Sequence, residues 1–246
     1  MDVFLEQYFD LSLMSDEFGF VLDGFWFTLK LSIVGGIAAL IWGLVLAVLR
    51  QLPGRAFLPL RVATISYIDA FRGIPFLLVL LLISGGFPVV FTGNLSWLGI
   101  PDWFGQPDPF WYGVFGLTLT YGAYMAEVYR AGIEAVPGGQ MEAARSLGMS
   151  HGQAMQSIIV PQAVRKVIPP LLNDFIALMK DTSLVAVIGL IEVVQAGRDI
   201  QSETFNSSAL TLGALLFLVV TIPLARVVDR LITVQQAKYQ RGIVGA

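Results

Sequence analysis

Apolar residues gather along the chain into runs of about 20 residues, over about 25–49, 62–83, 110–133, 171–190 and 209–228, parted by stretches of unequal length. A helix of that length crosses a hydrocarbon core of roughly 30 Å, so each run predicts a membrane span. Five spans put the two ends of the chain on opposite sides of the bilayer. In the first run Gly35, Ala39, Gly43 and Ala47 recur at every fourth position, a stripe of small residues that predicts close packing of another helix. Gly73 and Pro75 lie inside the second run and predict a break in that helix. No internal repeat, low-complexity run or second domain is visible, so the expectation is one transmembrane domain over residues 1–246.

Composition agrees with this pattern. Of 246 residues, 56% are hydrophobic and only 13% charged, about half the charged share of a soluble protein. There is no cysteine and a single histidine, His151, which excludes disulfides and any His/Cys cluster for zinc or haem. A lone cytoplasmic His151 also excludes an intramembrane serine protease. The net charge of −3 argues against nucleic-acid binding.

Charge placement predicts an orientation. Asp2, Glu6, Asp10, Asp16, Glu17 and Asp23 precede the first run with no Lys or Arg, so the opening is not a signal peptide and the first run is retained. Basic residues collect in alternate loops: Arg50, Arg55 and Arg61, then Arg145, Arg165 and Lys166, then Arg230, Lys238 and Arg241. The Trp-rich segment 85–109, with Trp97 and Trp103, has none, and the next outer loop has Arg198 alone. Basic loops stay in the cytoplasm, so the amino terminus is expected outside and the carboxyl terminus inside.

An ionisable side chain at mid-bilayer costs about 2.5–3.5 kcal/mol on insertion scales and needs a reason. In the fourth run Asn173 and Lys180 are seven apart, as are Asp174 and Asp181, which predicts one broad polar helix face suited to a zwitterionic solute. Arg72, Glu127, Thr182 and Ser183 complete the candidate substrate pathway. Asp69/Arg72 and Glu127/Arg130, at i, i+3 spacing, also read as intrahelical ion pairs. Thr182 and Ser183 also read as bonding back to their own helix. Lys30 is read as snorkelling to the surface.

The loop between the third and fourth runs is too long for a turn. Pro137-Gly138-Gly139 stops the third span, and helix formers from Gln140 to Leu147 predict two turns of helix before Gly148. Met141, Ala144 and Leu147 share one flank of it, while Glu142 and Arg145 lie on the other. With Ala143 and Ala144 in place of large apolar residues, the helix suits a groove in a partner better than a lipid surface.

Glu142-Ala143-Ala144, three residues, Gly148, nine residues, Ile158, one residue, then Val160-Pro161 resembles the signature of permease subunits of ATP-binding-cassette importers, with Val160 in place of the usual Leu. Tyr124 to Ile133, Phe71-Arg72-Gly73-Ile74-Pro75 and Lys180-Asp181-Thr182-Ser183-Leu184 resemble the polar amino acid branch, which includes histidine, glutamine, arginine and glutamate permeases. The resemblance implies an all-α integral membrane protein of the MetI-like permease fold, with five transmembrane helices and a cytoplasmic coupling helix at about 139–148. Gly139, Glu142, Ala143, Ala144, Arg145, Leu147 and Gly148 would then couple to an ATPase.

Further implied are a second permease copy or sister subunit, two ATPase subunits, an extracytoplasmic binding protein, and a place in the bacterial cytoplasmic (inner) membrane. The cargo would be a polar or charged amino acid: glutamate or aspartate, glutamine, or a basic one. The chain carries no Gly-x-x-x-x-Gly-Lys-Ser/Thr loop, so it is not expected to be the ATPase; ATP and magnesium would belong to the partner, with no cofactor here. The competing expectation, an ion-coupled secondary carrier of a small polar solute, rests on the intramembrane carboxylates.

Overall fold

The computed structural model describes residues 2–91 and 108–244; the outer segment with Trp97 and Trp103 lies largely outside the described residues. Every regular element among them is helical. Short helices α1 (Asp2–Phe9) and α2 (Leu11–Asp16) lead into α3 (Phe18–Arg50), 33 residues long. Then come α4 (Leu58–Gly73), α5 (Phe76–Phe91) and α6 (Asp108–Glu134). After the loop helices α7 (Gly138–Ser146) and α8 (His151–Ala154), the chain continues as α9 (Val160–Asp181), α10 (Val193–Thr204) and α11 (Ser208–Val244).

Among the described residues, two helices are each long and apolar enough to cross a membrane, Phe18–Arg50 and Ser208–Gln235. A third candidate is the pair Arg55–Gly73 and Phe76–Gly86, bent by 106°. The second apolar run is therefore two helices. Ile74 is extended (φ −93°, ψ 129°), because a following proline clashes with the helical conformation and Pro75 has no N–H to continue the ladder. Helix α6, with 27 residues, and α9, with 22, have the length but carry more polar side chains.

The helix that occupies the fourth run begins well before it, at Val160, so Arg165 and Lys166 lie in its early turns and not in a loop; it ends at Asp181, where a tighter helix, Thr182–Ile188, takes over. A π-turn over Met155–Ile159 precedes it. Widening the spiral there accommodates Pro161, whose ring would otherwise meet the carbonyl of Ser157. Pro169 and Pro170 lie inside α9 and leave the carbonyls of Arg165 and Lys166 without helical donors; the Gln235 amide of α11 donates to the first.

The core is built on the seam between α3 and α6. Small residues let the backbones meet: a Cβ on Gly43 would come within 2.9 Å of the Gly122 carbonyl, and one on Gly35 within 2.9 Å of Leu117. Leu31, Ala39, Leu117, Met125 and Leu178 fill the space between α3, α6 and α9 with less than 2% exposure each. Glu192 is fully buried at the start of α10, accepting from the backbone N–H of Val194 and Gln195 at 2.9 Å and from Thr28 of α3. It caps α10, a structural part for a carboxylate outside the expected spans. Lys30 lies over the Phe27 ring at 4.7 Å, and His151 is exposed at the start of α8.

A polar cavity and an exposed loop helix

The break between α4 and α5 opens a cavity of about 460 Å³ against α6 and α9. Arg72 and Pro75 come from the break, Thr120, Tyr121 and Tyr124 from α6, and Asp174 and Asp181 from α9. Tyr121 donates to Asp181 Oδ2 at 2.8 Å. Tyr124 donates to the Arg72 carbonyl at 3.2 Å, and its ring lies 5.7 Å below the Arg72 guanidinium. That ring positions the cation without neutralising it. No ion pair joins Arg72 to Asp69 or to either cavity carboxylate among the described residues.

Two polar atoms in this lining, Thr120 Oγ1 and Asp174 Oδ2, are buried without a hydrogen-bond partner. Each such group costs about 1–3 kcal/mol. A solute-sized space beside them is where a partner would come from.

The structure separates the residues that the sequence grouped. Arg72, Asp174 and Asp181 converge on the cavity. Asn173 and Lys180 are exposed on the neighbouring stripe of α9, since each residue turns the helix by about 100°. Thr182 is fully buried and donates to the Met179 carbonyl at 2.7 Å; Ser183 does the same to Lys180. Both satisfy their own helix. Glu127 lies outside the cavity lining, in an ion-pair network with Arg50 of α3 and with Arg130 at 2.7 Å. Thr120, Tyr121 and Tyr124 escaped sequence reading as site residues because hydroxyl-bearing side chains are common in spans; their signal was the i, i+1, i+4 spacing on one face.

In the loop, α7 rests on a small core of Val136, Ile159 and Ala163, with Met141 packed against it. Ala144, 4% exposed, faces inward, whereas Glu142, Ala143 and Arg145 face out. Leu147 does not continue the flank of Met141 and Ala144: it caps the helix and is 84% exposed. Gly148, at φ 83°, reverses the chain in the left-handed region. The Met149 N–H returns to Ala144 and the Gly148 N–H to Arg145, closing a Schellman motif that favours glycine there. Ser150 and Gln153 then cap α8 reciprocally.

A bundle with membrane-length apolar helices around a solute-sized polar cavity defines a polytopic membrane protein. Residues 39–239 match the binding-protein-dependent transport system inner membrane component, and the chain belongs to that family of permease proteins. It is 35% identical over 222 residues to the probable glutamine ABC transporter permease protein GlnM of Bacillus subtilis (strain 168), covering 88% of this chain and 93% of that one. The arginine transport system permease protein ArtQ of the same organism is 34% identical over 197 residues, 80% of this chain and 83% of the relative.

Among solved structures, an amino acid ABC transporter determined with histidines superposes with a TM-score of 0.76 at 33% identity, over 89% of this chain and 96% of that chain. The MetNI methionine ABC transporter, at 20% identity and a TM-score of 0.70 over 88% and 96% of the two chains, shares the fold. The MetI-like permease fold and a place in the inner membrane follow.

Proposed function

We infer that the chain is the permease subunit of an ATP-driven amino acid importer and that the cavity between the α4/α5 break, α6 and α9 is where the amino acid passes. The observation that carries this reading is the convergence of a cation, Arg72, in no direct ion pair among the described residues, with two carboxylates, Asp174 and Asp181, in one cavity of a membrane bundle. A free amino acid is a carboxylate and an ammonium on one carbon, and such a lining matches both ends. Relatives named for glutamine and arginine transport support the class of cargo.

In this reading the five apolar runs are five spans of a single domain, with the amino terminus outside. Helix α7 is the coupling helix. Its outward residues, Gly139, Glu142, Ala143, Arg145 and Leu147, meet a cleft in the ATPase, while Ala144 and Gly148 hold its shape. Closure of the ATPase on ATP and magnesium moves α7 as a rigid lever, and the bundle passes between two states biased by the nucleotide. The permease is not itself an enzyme. A second permease subunit, two ATPase subunits and an extracytoplasmic binding protein complete the machine.

The test is reconstitution of the complex in liposomes with its binding protein. ATP-dependent uptake of an amino acid, lost on Arg72→Gln or Asp174→Leu while the ATPase still co-purifies, is the expected result. Uptake driven by an ion gradient with the ATPase absent would make the protein an ion-coupled carrier instead.

A further inference from the structure

The charges lining the cavity bear on which amino acid it takes, provided that the cavity is the substrate site. The lining holds one guanidinium and two carboxylates. A neutral amino acid brings one negative and one positive group. It satisfies Arg72 and one aspartate, leaving the other with no cation.

Geometry says which aspartate is left over. The carboxylate end has one seat. Arg72 lines the cavity with Phe76, the opening residue of the 16-residue helix α5, in which the N–H groups of Leu78 and Val79 donate to the Pro75 carbonyl and those of Phe76 and Leu77 have no helical acceptor. Thr120, 3% exposed with its hydroxyl unpartnered, lines the cavity with them. Asp174 lines the cavity with Arg72, and its Oδ2 is buried with no partner, so it is the aspartate with an open acceptor for the ammonium on the same carbon.

Asp181 lies seven residues along α9, a rise of about 10.5 Å. Its Oδ2 accepts from Tyr121, a neutral donor, and no cation of the described chain pairs with it. About two turns of helix separate the two aspartates, so a solute that reaches both must be elongated, as lysine and arginine are.

We propose that the cargo is a cationic amino acid, with its α-carboxylate on Arg72 and the α5 amino end, its α-ammonium on Asp174, and its side-chain cation on Asp181. Three charges of the solute then meet three of opposite sign. A glutamate would put a carboxylate against Asp181, and a glutamine offers that residue only a neutral amide.

Equilibrium binding of radiolabelled L-arginine to the purified permease–ATPase complex, without the binding protein, tests this with L-lysine, L-glutamine and L-glutamate as competitors. Arginine and lysine are expected to bind at least tenfold tighter than glutamine, and glutamate not to compete. Asp181→Asn should bring arginine down to the level of glutamine while glutamine changes less than twofold, and Asp181→Glu should keep the preference. Glutamine or glutamate binding as tightly as arginine, or an unchanged preference in Asp181→Asn, overturns the proposal and leaves the site standing. Unchanged binding in both Arg72→Gln and Asp174→Asn, or no binding of any of the four, overturns the site as well. The wild-type order of competition decides alone where Asp181→Asn does not assemble.

Discussion

Tyr121 on α6 and Asp181 at the last turn of α9 are joined by a 2.8 Å hydrogen bond, the one direct side-chain bond between lining residues of the two helices among the described residues. It fixes the carboxylate toward the cavity, so α6 supplies the orientation and α9 the charge. Removing the hydroxyl should weaken cargo handling without disturbing the fold. Tyr121→Phe is expected to raise the KM for uptake by about tenfold, corresponding to about 1.5 kcal/mol for a hydrogen bond to a charged group. Yield and ATPase retention should match wild type; an unchanged KM would place the bond outside the transport path.

The close seam of α3 and α6 predicts a contrast between two glycines. A Cβ on Gly43 meets the Gly122 carbonyl and the Met125 Cβ at 2.9 Å and the Ala126 nitrogen at 3.1 Å, atoms that cannot move without shifting a backbone. A Cβ on Gly19 meets nothing within 4 Å. Gly43→Ala should destabilise by about 1–3 kcal/mol through overpacking, seen as a lower Tm in detergent. Gly19→Ala, on an open helical surface, should hold or raise the Tm.

Coupling is tested on α7. Glu142→Lys reverses a charge on the outward face and is expected to leave the protein in the membrane while uptake and ATPase retention fall together. Gly148→Val forces a β-branched residue to φ 83° and breaks the Schellman end, with the same loss. Retention and uptake at wild-type levels in both would show that another segment carries the coupling.

Orientation is tested by cysteine labelling, which the absence of native cysteine makes direct. In intact cells Ser12→Cys, exposed before α3, should react with an impermeant thiol reagent and Ser146→Cys, exposed at the end of α7, should not. The reverse pattern would invert the topology.

How much of the fold and the cavity was legible in the sequence depended on which force wrote each feature. The α4/α5 break was legible at Pro75, because the clash of a proline ring with the preceding residue is local. The small-residue stripe was legible because close approach has no substitute for a missing Cβ. Asp174 and Asp181 stood out because a carboxylate in an apolar run is costly. Which face of α9 meets the cavity was not legible: Asn173 and Asp174 are neighbours in sequence and point different ways, and the choice is made by where α6 packs. Likewise the start of α9 at Val160 was hidden by polar residues, Arg165 and Lys166, that lie in its early turns outside the apolar run. Leu147 read as part of an apolar flank, but its place at the cap turned it outward.

Glu127 gives the sharpest separation of structure from transport, because it was a candidate for the pathway and the structure places it in the Arg50–Glu127–Arg130 network. Its side chain is 15% exposed and that of Arg50 is 24% exposed, so the pair is partly withdrawn from water and links the end of α3 to α6. Glu127→Gln would keep the volume and remove the charge, leaving two guanidinium groups facing a neutral amide. Breaking a fully buried ion pair costs about 3 kcal/mol or more, and this network, whose side chains reach water in part, is expected to lose less. Arg130 also pairs with Glu134 at 2.5 Å and has that second partner to fall back on, so Arg50 is the group left exposed to the loss. The expected outcome is a lower Tm and lower yield, with the KM for uptake unchanged in the protein that does assemble. A variant that assembles normally and shows a raised KM would return Glu127 to the transport path.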